Sequence, residues 1–317
     1  MRSMSAEAAG RTPAGEPGLA KVPEWVPRDL FPFESRFRNI DGHVVHYIDV
    51  GSGPILLLLH GNPTWSFVYR DMIKRLASRF RCIAPDYPGF GLSSAAPGFD
   101  YRPESHARVV ERLVAALELP SFSLLVHDWG GPIGLWLAGR HADRIRALVI
   151  GNTWAWPVNG DPHFERFARL MGGGVGRFAI DRFNIFVNVL MPLSVRRRRL
   201  RREVMEAYRS PFRKRDSRKA TWIFPREIIA SAPFLAEVES GLPRLRHLPT
   251  LLLWGDADPA FREVERLRFQ RAFTRCRVHV LEGAGHYIQE DCADEMSSAV
   301  ETWWEADVMD RKTGQPA

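Results

Sequence analysis

Two kinds of hydrophobic pattern alternate along the chain. Continuous apolar runs such as ILLLL (Ile55–Leu59) and TLLLW (Thr250–Trp254) are typical of parallel strands that are buried on both faces. Between such runs, apolar residues recur every three or four positions, as in PESHARVVERLVAALEL, and this spacing predicts amphipathic helices. Short connections join the two kinds of segment. The pattern therefore predicts an α/β fold with a mostly parallel, doubly wound sheet.

The alternation stops between Thr153 and Pro233, where the pattern is helical and rich in Phe, Trp and Arg. Because α/β sheets bind ligands at the carboxyl ends of their strands, an inserted helical segment is expected to cover that site. Its aromatic residues suggest an apolar pocket, although Phe183, Phe186 and Trp222 each fit the core of the cap better than the pocket wall. The predicted organisation is a core of residues 26–152 and 234–306, a helical cap (lid) of residues 153–233, and flexible tails at residues 1–25 and 307–317.

Composition restricts the class of protein. The 317 residues are 45% hydrophobic and 26% charged, as expected for a globular chain with one large core. No apolar run approaches the roughly 18 residues of a membrane span, and the first 25 residues lack the apolar centre of a signal peptide. Three cysteines without CxxC spacing predict reduced thiols. We expect a soluble cytoplasmic protein.

The net charge of +7 is concentrated in arginine-rich segments between Val195 and Lys219. Nucleic acid or an anionic membrane is one interpretation of such a run. The run matches no known binding motif, so a solvated helix face is favoured, with neither nucleic acid nor membrane as a partner. The sequence also has no metal-ligand cluster and no phosphate-binding loop, so we expect no metal and no organic cofactor.

The turn at Asp128 is the most informative position. In SLLVHDWGGPIG (Ser123–Gly134) an apolar strand enters a small-residue turn and then a helix, which is the pattern of a nucleophile elbow. Gly130 and Gly131 leave room for the tight turn, and the N-terminus of the following helix favours an anion. With an ordinary pKa of about 3.9, Asp128 is expected to be ionised at pH 7. A plain helix N-cap would also suit an aspartate, so this motif alone leaves both interpretations open.

Two further groups favour the catalytic interpretation. A carboxylate that attacks carbon becomes an ester, so turnover needs a base that activates water. His286, in LEGAGHYIQED, follows the last predicted strand, which is where the base comes in enzymes built on such an elbow. The base needs an acid that orients its ring, and Asp256 and Asp258 both follow the preceding strand.

Five segments resemble the motifs of the haloalkane dehalogenases, within the α/β-hydrolase superfamily. They are HGNPTWSFVYR, PDYPGFGLS, HDWGGPIG, GDADP and GHYIQED, and the similarity extends from about Phe33 to Trp304. The resemblance implies an α/β-hydrolase fold with an inserted lid. It further implies hydrolysis of a small uncharged haloalkane by water, with Asp128 as the nucleophile and His286 as the base.

The resemblance also implies roles for four other positions. The acid is the last residue of GDAD, which favours Asp258 over Asp256; dehalogenases that carry the acid after the earlier strand would have it at Asn152, which has no charge. The indole N–H of Trp129 and the amide of Asn62 would bind the halide, and the backbone N–H groups of the same two residues would form the oxyanion hole. This combination is similar to the third dehalogenase subfamily, whose members can form large oligomers, so a homo-oligomer is expected. A cap tryptophan as halide donor, which the first subfamily uses, is not favoured for Trp154, Trp156 or Trp222.

Other functions fit the sequence less well. An epoxide hydrolase shares the elbow aspartate and the His–Asp pair, but it uses two lid tyrosines, whereas residues 153–233 contain only Tyr208, and Asn62 stands where that family has an aromatic residue. A fluoroacetate-type dehalogenase would have arginines beside the nucleophile, and a serine esterase is excluded by Asp128. A coelenterazine-type luciferase remains an alternative. A non-catalytic binding protein that uses the basic cap is disfavoured by the intact candidate residues.

Overall fold

An eight-stranded sheet forms the centre of the computed structural model, which describes residues 19–309. The spatial order of the strands is β1-β2-β4-β3-β5-β6-β7-β8. β2 is antiparallel to β1 and β4, and all other pairs are parallel. The predicted fold class is confirmed. The strands are β1 (Arg36–Ile40), β2 (His43–Val50), β3 (Ile55–Leu59), β4 (Arg81–Pro85), β5 (Phe122–His127), β6 (Ile145–Gly151), β7 (Thr250–Gly255) and β8 (Cys276–Leu281).

The continuous apolar runs form the central strands, as expected. Every residue of β3, β5 and β7 is buried, because helices cover both faces of the parallel part of the sheet. The edge strand β1 was not predicted. Its sequence RFRNI offers only two buried apolar residues, Phe37 and Ile40, and its pairing with β2 supplies the rest of its stability.

Helices connect the strands and cover the sheet. The segment after β3 is a 3-10 turn at Ser66–Tyr69 followed by α1. The α-helices are α1 (Arg70–Leu76), α2 (Pro103–Ala116), α3 (Gly130–Arg140), α4 (Pro162–Gly172), α5 (Gly174–Phe183), α6 (Met191–Ser194), α7 (Arg202–Arg209), α8 (Lys219–Ala230), α9 (Ala232–Leu245), α10 (Glu263–Ala272) and α11 (Ile288–Trp303).

The helices α4 to α8 lie between β6 and α9 in the chain, within the stretch predicted as the cap. The next helix, α9, packs against α3 of the core. Gly139 and Gly241 make this close packing possible, because a Cβ added to Gly139 would lie 3.0 Å from Cα of Gly241. The predicted end of the cap at residue 233 therefore falls at the start of α9.

Both predicted tails lie partly outside the described residues, namely at 1–18 and 310–317. Of the rest, Trp25 packs edge-on against Trp65, with ring centroids 5.8 Å apart, and the chain from Trp304 to Met309 is helical. The bounds of the two tails stay a prediction. Cys82, Cys276 and Cys292 are free thiols. Between residues 19 and 309 no helix is both long and apolar enough to cross a bilayer.

Candidate active site

Asp128 lies at the sharp turn between β5 and α3. Its φ of +50° is in the left-handed region, which a non-glycine residue adopts at a cost. The turn is tight: a Cβ at Gly130 would collide with the carbonyl of Leu59, and one at Gly131 with the side chain of Thr153. Oδ2 of Asp128 accepts a hydrogen bond from the backbone N–H of Asn62 at 2.8 Å. The elbow thus holds a carboxylate at the N-terminus of α3.

Burial raises the pKa of Asp128 to about 6, although three groups oppose the shift. These are the positive charge of His286 and the backbone N–H groups of Asn62 and Trp129. At pH 7 a carboxylate with this pKa is ionised in about ten molecules out of eleven. The desolvated anion is therefore available as a nucleophile near neutral pH.

The structure brings His286 and Asp258 together. Nδ1 of His286 lies 3.0 Å from Oδ2 of Asp258, and both side chains are buried. Asn152 donates from Nδ2 to the same carboxylate oxygen at 2.8 Å, and the backbone N–H of Ala260 donates to Oδ1 at 2.7 Å. Asp256 instead accepts a hydrogen bond from the backbone N–H of Gly283 at 2.6 Å.

The pair shifts the pKa values of its members in opposite directions. Burial alone would raise the pKa of Asp258, but the charge of His286 and the hydrogen bonds from His286, Ala260 and Asn152 lower it overall. Burial alone would lower the pKa of His286, but the carboxylates of Asp258 and Asp128 raise it. Asn152, which stands at the alternative acid position, thus stabilises the charge of Asp258.

A cavity of about 220 Å³ lies between the elbow and the cap. The core contributes Asn62, Asp128, Trp129 and His286 to its lining, and the cap contributes apolar side chains that include Phe164, Phe167, Phe186, Leu190, Pro225 and Ile228. No Lys or Arg occurs among the residues that line it within the described chain. The cavity therefore suits a small, uncharged and mainly apolar molecule.

The two predicted halide donors line this cavity together. The backbone N–H of Asn62 donates to Oδ2 of Asp128. The side-chain Nδ2 of Asn62 donates a long hydrogen bond, 3.3 Å, to the carbonyl of Thr221. Trp129 follows Asp128 directly and packs edge-on against Trp154, with ring centroids 4.6 Å apart. Two neutral N–H donors thus share the cavity with the carboxylate.

The three aromatic residues singled out in the cap have different environments. Phe186 lines the cavity. Trp222 packs at the edge of a small cap cluster formed by Met171, Ile180 and Phe186. Phe183 is 58% exposed, so its assignment to the cap core is wrong.

A connection between the cap and the loop of His286 was not predicted from the sequence. The carbonyl of Ser194, at the end of α6, accepts the backbone N–H of His286 at 2.8 Å. The carboxylate of Asp291 accepts hydrogen bonds from the segments on either side of this contact. On the side of His286 the donor is the backbone N–H of Gly285, at 2.7 Å. On the side of the cap the donors are the backbone N–H groups of Arg196 and Arg197, at 3.0 and 2.8 Å. The acids of the motif QED were a visible signal, but their partners lie about 95 residues away in the sequence.

A second connection involves the single tyrosine of the cap. The hydroxyl of Tyr208 donates to the buried carboxylate of Glu290, which also accepts from Nη2 of Arg70 at 2.9 Å and Nη2 of Arg198 at 3.2 Å. Tyr208 is fully buried and does not line the cavity. This residue therefore anchors the cap to the core. No group of three or more metal-ligating side chains occurs within residues 19–309.

Known proteins are similar to this chain in sequence and in architecture. A family model described as alpha/beta hydrolase fold matches residues 54–292. Haloalkane dehalogenase 2 of Mycobacterium tuberculosis is 42% identical over 273 residues, which cover 86% of this chain and 95% of that protein. The chain belongs to the haloalkane dehalogenase family.

Further similarities extend within and beyond the dehalogenases. The crystal structure of a haloalkane dehalogenase from Bradyrhizobium elkani aligns with a TM-score of 0.79 at 29% identity, covering 86% of this chain and 98% of that one. A cis-3-alkyl-4-alkyloxetan-2-one decarboxylase of Shewanella oneidensis is 32% identical, covering 84% of this chain and 87% of that protein. The predicted membership of the dehalogenases is confirmed, and the subfamily assignment stays a prediction.

Proposed function

We propose that this protein hydrolyses small uncharged haloalkanes to an alcohol, a halide ion and a proton. The observation that carries the proposal is the buried carboxylate of Asp128, which lies on the elbow in an apolar cavity that it shares with Asn62, Trp129 and His286. A carboxylate is already charged, so it can displace a halide from an sp3 carbon without prior deprotonation.

In the first step, a carboxylate oxygen of Asp128 attacks the carbon that bears the halogen. The new C–O bond forms as the carbon–halogen bond breaks, and the bonding electrons leave with the halide. The charge that develops on the halide is stabilised by the indole N–H of Trp129 and the amide N–H of Asn62, which act as fixed donors in a cavity of low polarity.

In the second step, His286 removes a proton from water, and the resulting hydroxide attacks the carboxyl carbon of the Asp128 ester. The tetrahedral oxyanion accepts hydrogen bonds from the backbone N–H groups of Asn62 and Trp129. Collapse of this intermediate breaks the bond between the carboxyl carbon and the alkyl oxygen. The hydroxyl proton of the intermediate passes to the leaving oxygen, so the alcohol is released and the carboxylate is restored. Asp258 orients the ring of His286 and stabilises its positive charge until the proton passes to solvent.

The cavity limits the substrate. Its volume of about 220 Å³ and its mainly apolar lining restrict the substrate to small molecules. 1-Bromobutane and 1,2-dibromoethane have four to five heavy atoms and fit this space. The absence of Lys and Arg among the described lining residues disfavours a carboxylate-bearing substrate such as fluoroacetate.

The epoxide hydrolase alternative lacks a cap tyrosine in the cavity. Opening of an epoxide needs a donor to the ring oxygen, and Tyr208, the only tyrosine of the cap, is bonded to Glu290 away from the cavity. Tyr287 of the core lines the cavity, and its hydroxyl donates to the carbonyl of Asn62 at 3.4 Å. The decarboxylase relatives are named for β-lactones that carry two alkyl chains. A cavity of this size favours short haloalkanes over such substrates.

The proposal is tested by incubating the purified protein with 1-bromobutane and with 1,2-dibromoethane and measuring release of bromide and acid. Asp128→Asn, which keeps the shape of the side chain but not its charge, is the matched control and should release neither. Absence of release from both compounds, together with turnover of styrene oxide or of a cis-3,4-dialkyl β-lactone, would contradict it.

We infer a cytoplasmic location from the three free thiols, which suit a reducing compartment. The partners of the reaction are the haloalkane and water. Assembly into a homo-oligomer stays a prediction, and sedimentation velocity would measure it.

A further inference from the structure

Exposed apolar side chains are concentrated on one part of the cap. Within residues 19–309, ten large hydrophobic side chains are exposed, and seven of them fall between residues 167 and 193. Single exposed apolar residues are normal, but a cluster of this size marks an interaction surface. We call this surface the cap apolar face; its members are Phe167, Leu170, Val175, Phe178, Phe183, Val189 and Leu193.

The members of the cap apolar face are neighbours in space. Val175 and Phe178 lie one turn apart on α5, and the ring of Phe178 packs edge-on against Phe183 at 6.1 Å. Nδ2 of Asn188 donates to the carbonyl of Phe183 at 2.9 Å, which joins the end of α5 to the helical segment that carries Val189. These contacts join α5 to the segment of residues 186–190, which leads directly into α6.

The cap apolar face adjoins the cavity. Phe167 is 38% exposed and also lines the cavity, so it lies at the rim. Phe186 and Leu190, on the same helical segment as the exposed Val189, line the cavity too. The cap apolar face therefore lies next to the cavity.

The charge of the cap limits what can cover this face. Residues 153–233 contain 17 Lys and Arg against 7 Asp and Glu, a net charge of +10, so the rest of the chain has −3. Four exposed arginines occur along α4 and α5: Arg166, Arg169, Arg177 and Arg182. Of the nearby acids, Asp181 accepts from Nε of Arg215 at 3.0 Å, and Glu165 accepts from the backbone N–H of Gly160 at 2.9 Å and lies 4.0 Å from Arg169. Two acids thus stand beside four arginines, so the surface keeps a positive charge.

This charge disfavours a second copy of the chain as the occupant. In a twofold dimer the same patch lies on both sides of the interface, so the arginines of one copy would face those of the other. A surface that combines an apolar layer with negative charge complements both features. Anionic lipid has this combination, since its acyl chains accept apolar side chains and its phosphates accept arginine.

We propose that the cap apolar face binds peripherally to anionic lipid bilayers. The apolar side chains enter the boundary between headgroups and acyl chains, and the four arginines contact lipid phosphates. This replaces the expectation that the protein has no membrane partner; it concerns binding at the surface and no membrane span. If the proposed function holds, apolar substrates dissolved in the bilayer lie next to the cavity.

The test is co-sedimentation of the full chain with vesicles of phosphatidylcholine alone and of phosphatidylcholine mixed with phosphatidylglycerol. We expect binding to the mixed vesicles, several-fold weaker binding to the neutral ones, and loss of binding at high salt. The double variant Phe178→Ser/Phe183→Ser should bind at least about tenfold more weakly, because two apolar side chains no longer enter the bilayer.

The matched control is Val264→Ser/Val280→Ser, which removes two exposed apolar side chains outside the cap, 56% and 41% exposed. It should bind as the unchanged protein does. Equal binding by both double variants, or no binding to mixed vesicles, would overturn the proposal. An oligomer that Phe178→Ser/Phe183→Ser breaks into monomers, without vesicle binding, would assign the face to a second copy instead. Sedimentation does not depend on halide release, so failure of the proposed function would be seen separately.

Discussion

Nδ1 of His286 lies 3.0 Å from the carboxylate of Asp258, whereas Asp256, two residues earlier, binds the backbone N–H of Gly283. The two aspartates of one loop thus have different environments. Asp258 also accepts hydrogen bonds from Asn152 and Ala260, which keep it charged in a buried site. Of these two aspartates, Asp258 is the one that contacts His286.

Asp258→Asn should lower the steady-state rate with 1-bromobutane by about 10⁴-fold, the loss that a neutral amide causes in a related acid–histidine pair. The initial release of one bromide per enzyme should remain, because the attack by Asp128 precedes the action of the base. Asp256→Asn, which leaves the His286 contact intact, should stay within about twofold of the unchanged enzyme. If Asp256→Asn lost more activity than Asp258→Asn, the acid would be Asp256.

Asp291 ties the loop of His286 to the cap through the N–H groups of Gly285, Arg196 and Arg197. In Asp291→Asn at least one of these bonds to a charged acceptor is lost, each worth about 1.5–3 kcal/mol. We predict slower hydrolysis of the alkyl-enzyme at an unchanged rate of bromide burst, as measured by rapid quench. The exposed Asp294→Asn is the control. A parallel decrease in both rates would point to a general loss of stability instead.

The two steps should depend differently on pH. Burial raises the pKa of Asp128 to about 6, and only the ionised carboxylate attacks carbon, so the burst rate should fall about tenfold per pH unit below that value. Asp258 raises the pKa of His286, and only neutral His286 takes a proton, so ester hydrolysis should fall at a higher pH than the burst. Burst rates that stay constant down to about pH 4 would show that Asp128 has an ordinary carboxyl pKa.

Trp129→Phe keeps an aromatic ring but removes the indole N–H. We predict that the bromide burst slows by about 10²–10³-fold, the typical loss for one donor to a developing charge. Ester hydrolysis should change little, because the backbone N–H of residue 129 remains. Trp136→Phe, on the helix α3 that follows Trp129 but outside the cavity, is the matched control. An unchanged burst in Trp129→Phe would exclude the indole as a halide donor.

The sequence predicted the parts of the fold that local pattern determines. The continuous apolar runs identify β3, β5 and β7 because both faces of these strands are buried. The short edge strand β1 escaped prediction, since two apolar residues make no clear alternation and its stability depends on pairing with β2. The cap was predicted as helical, but the exposure of Phe183 depends on how its helices pack, which the pattern does not determine.

Some residues of the candidate site could likewise be predicted from local motifs, and others could not. Asp128 and His286 stand in short motifs with a defined place after a strand, so sequence alone indicated them. The spacing of Asp256 and Asp258 did not separate them; the resemblance to dehalogenases favoured Asp258, and only the three-dimensional turn shows which one contacts His286. The contacts of Ser194 and Asp291 join distant segments. The acids of QED are visible in the sequence, but no local pattern indicates which residues they bind.

The most direct test of the covalent mechanism is mass spectrometry of His286→Phe after exposure to 1-bromobutane. Without its base, the variant should release one bromide per molecule and then stop. The peptide that contains Asp128 should carry one added butyl group, because the ester can no longer be hydrolysed. Continuing bromide release with an unmodified Asp128 peptide would contradict the central claim that Asp128 is alkylated during turnover.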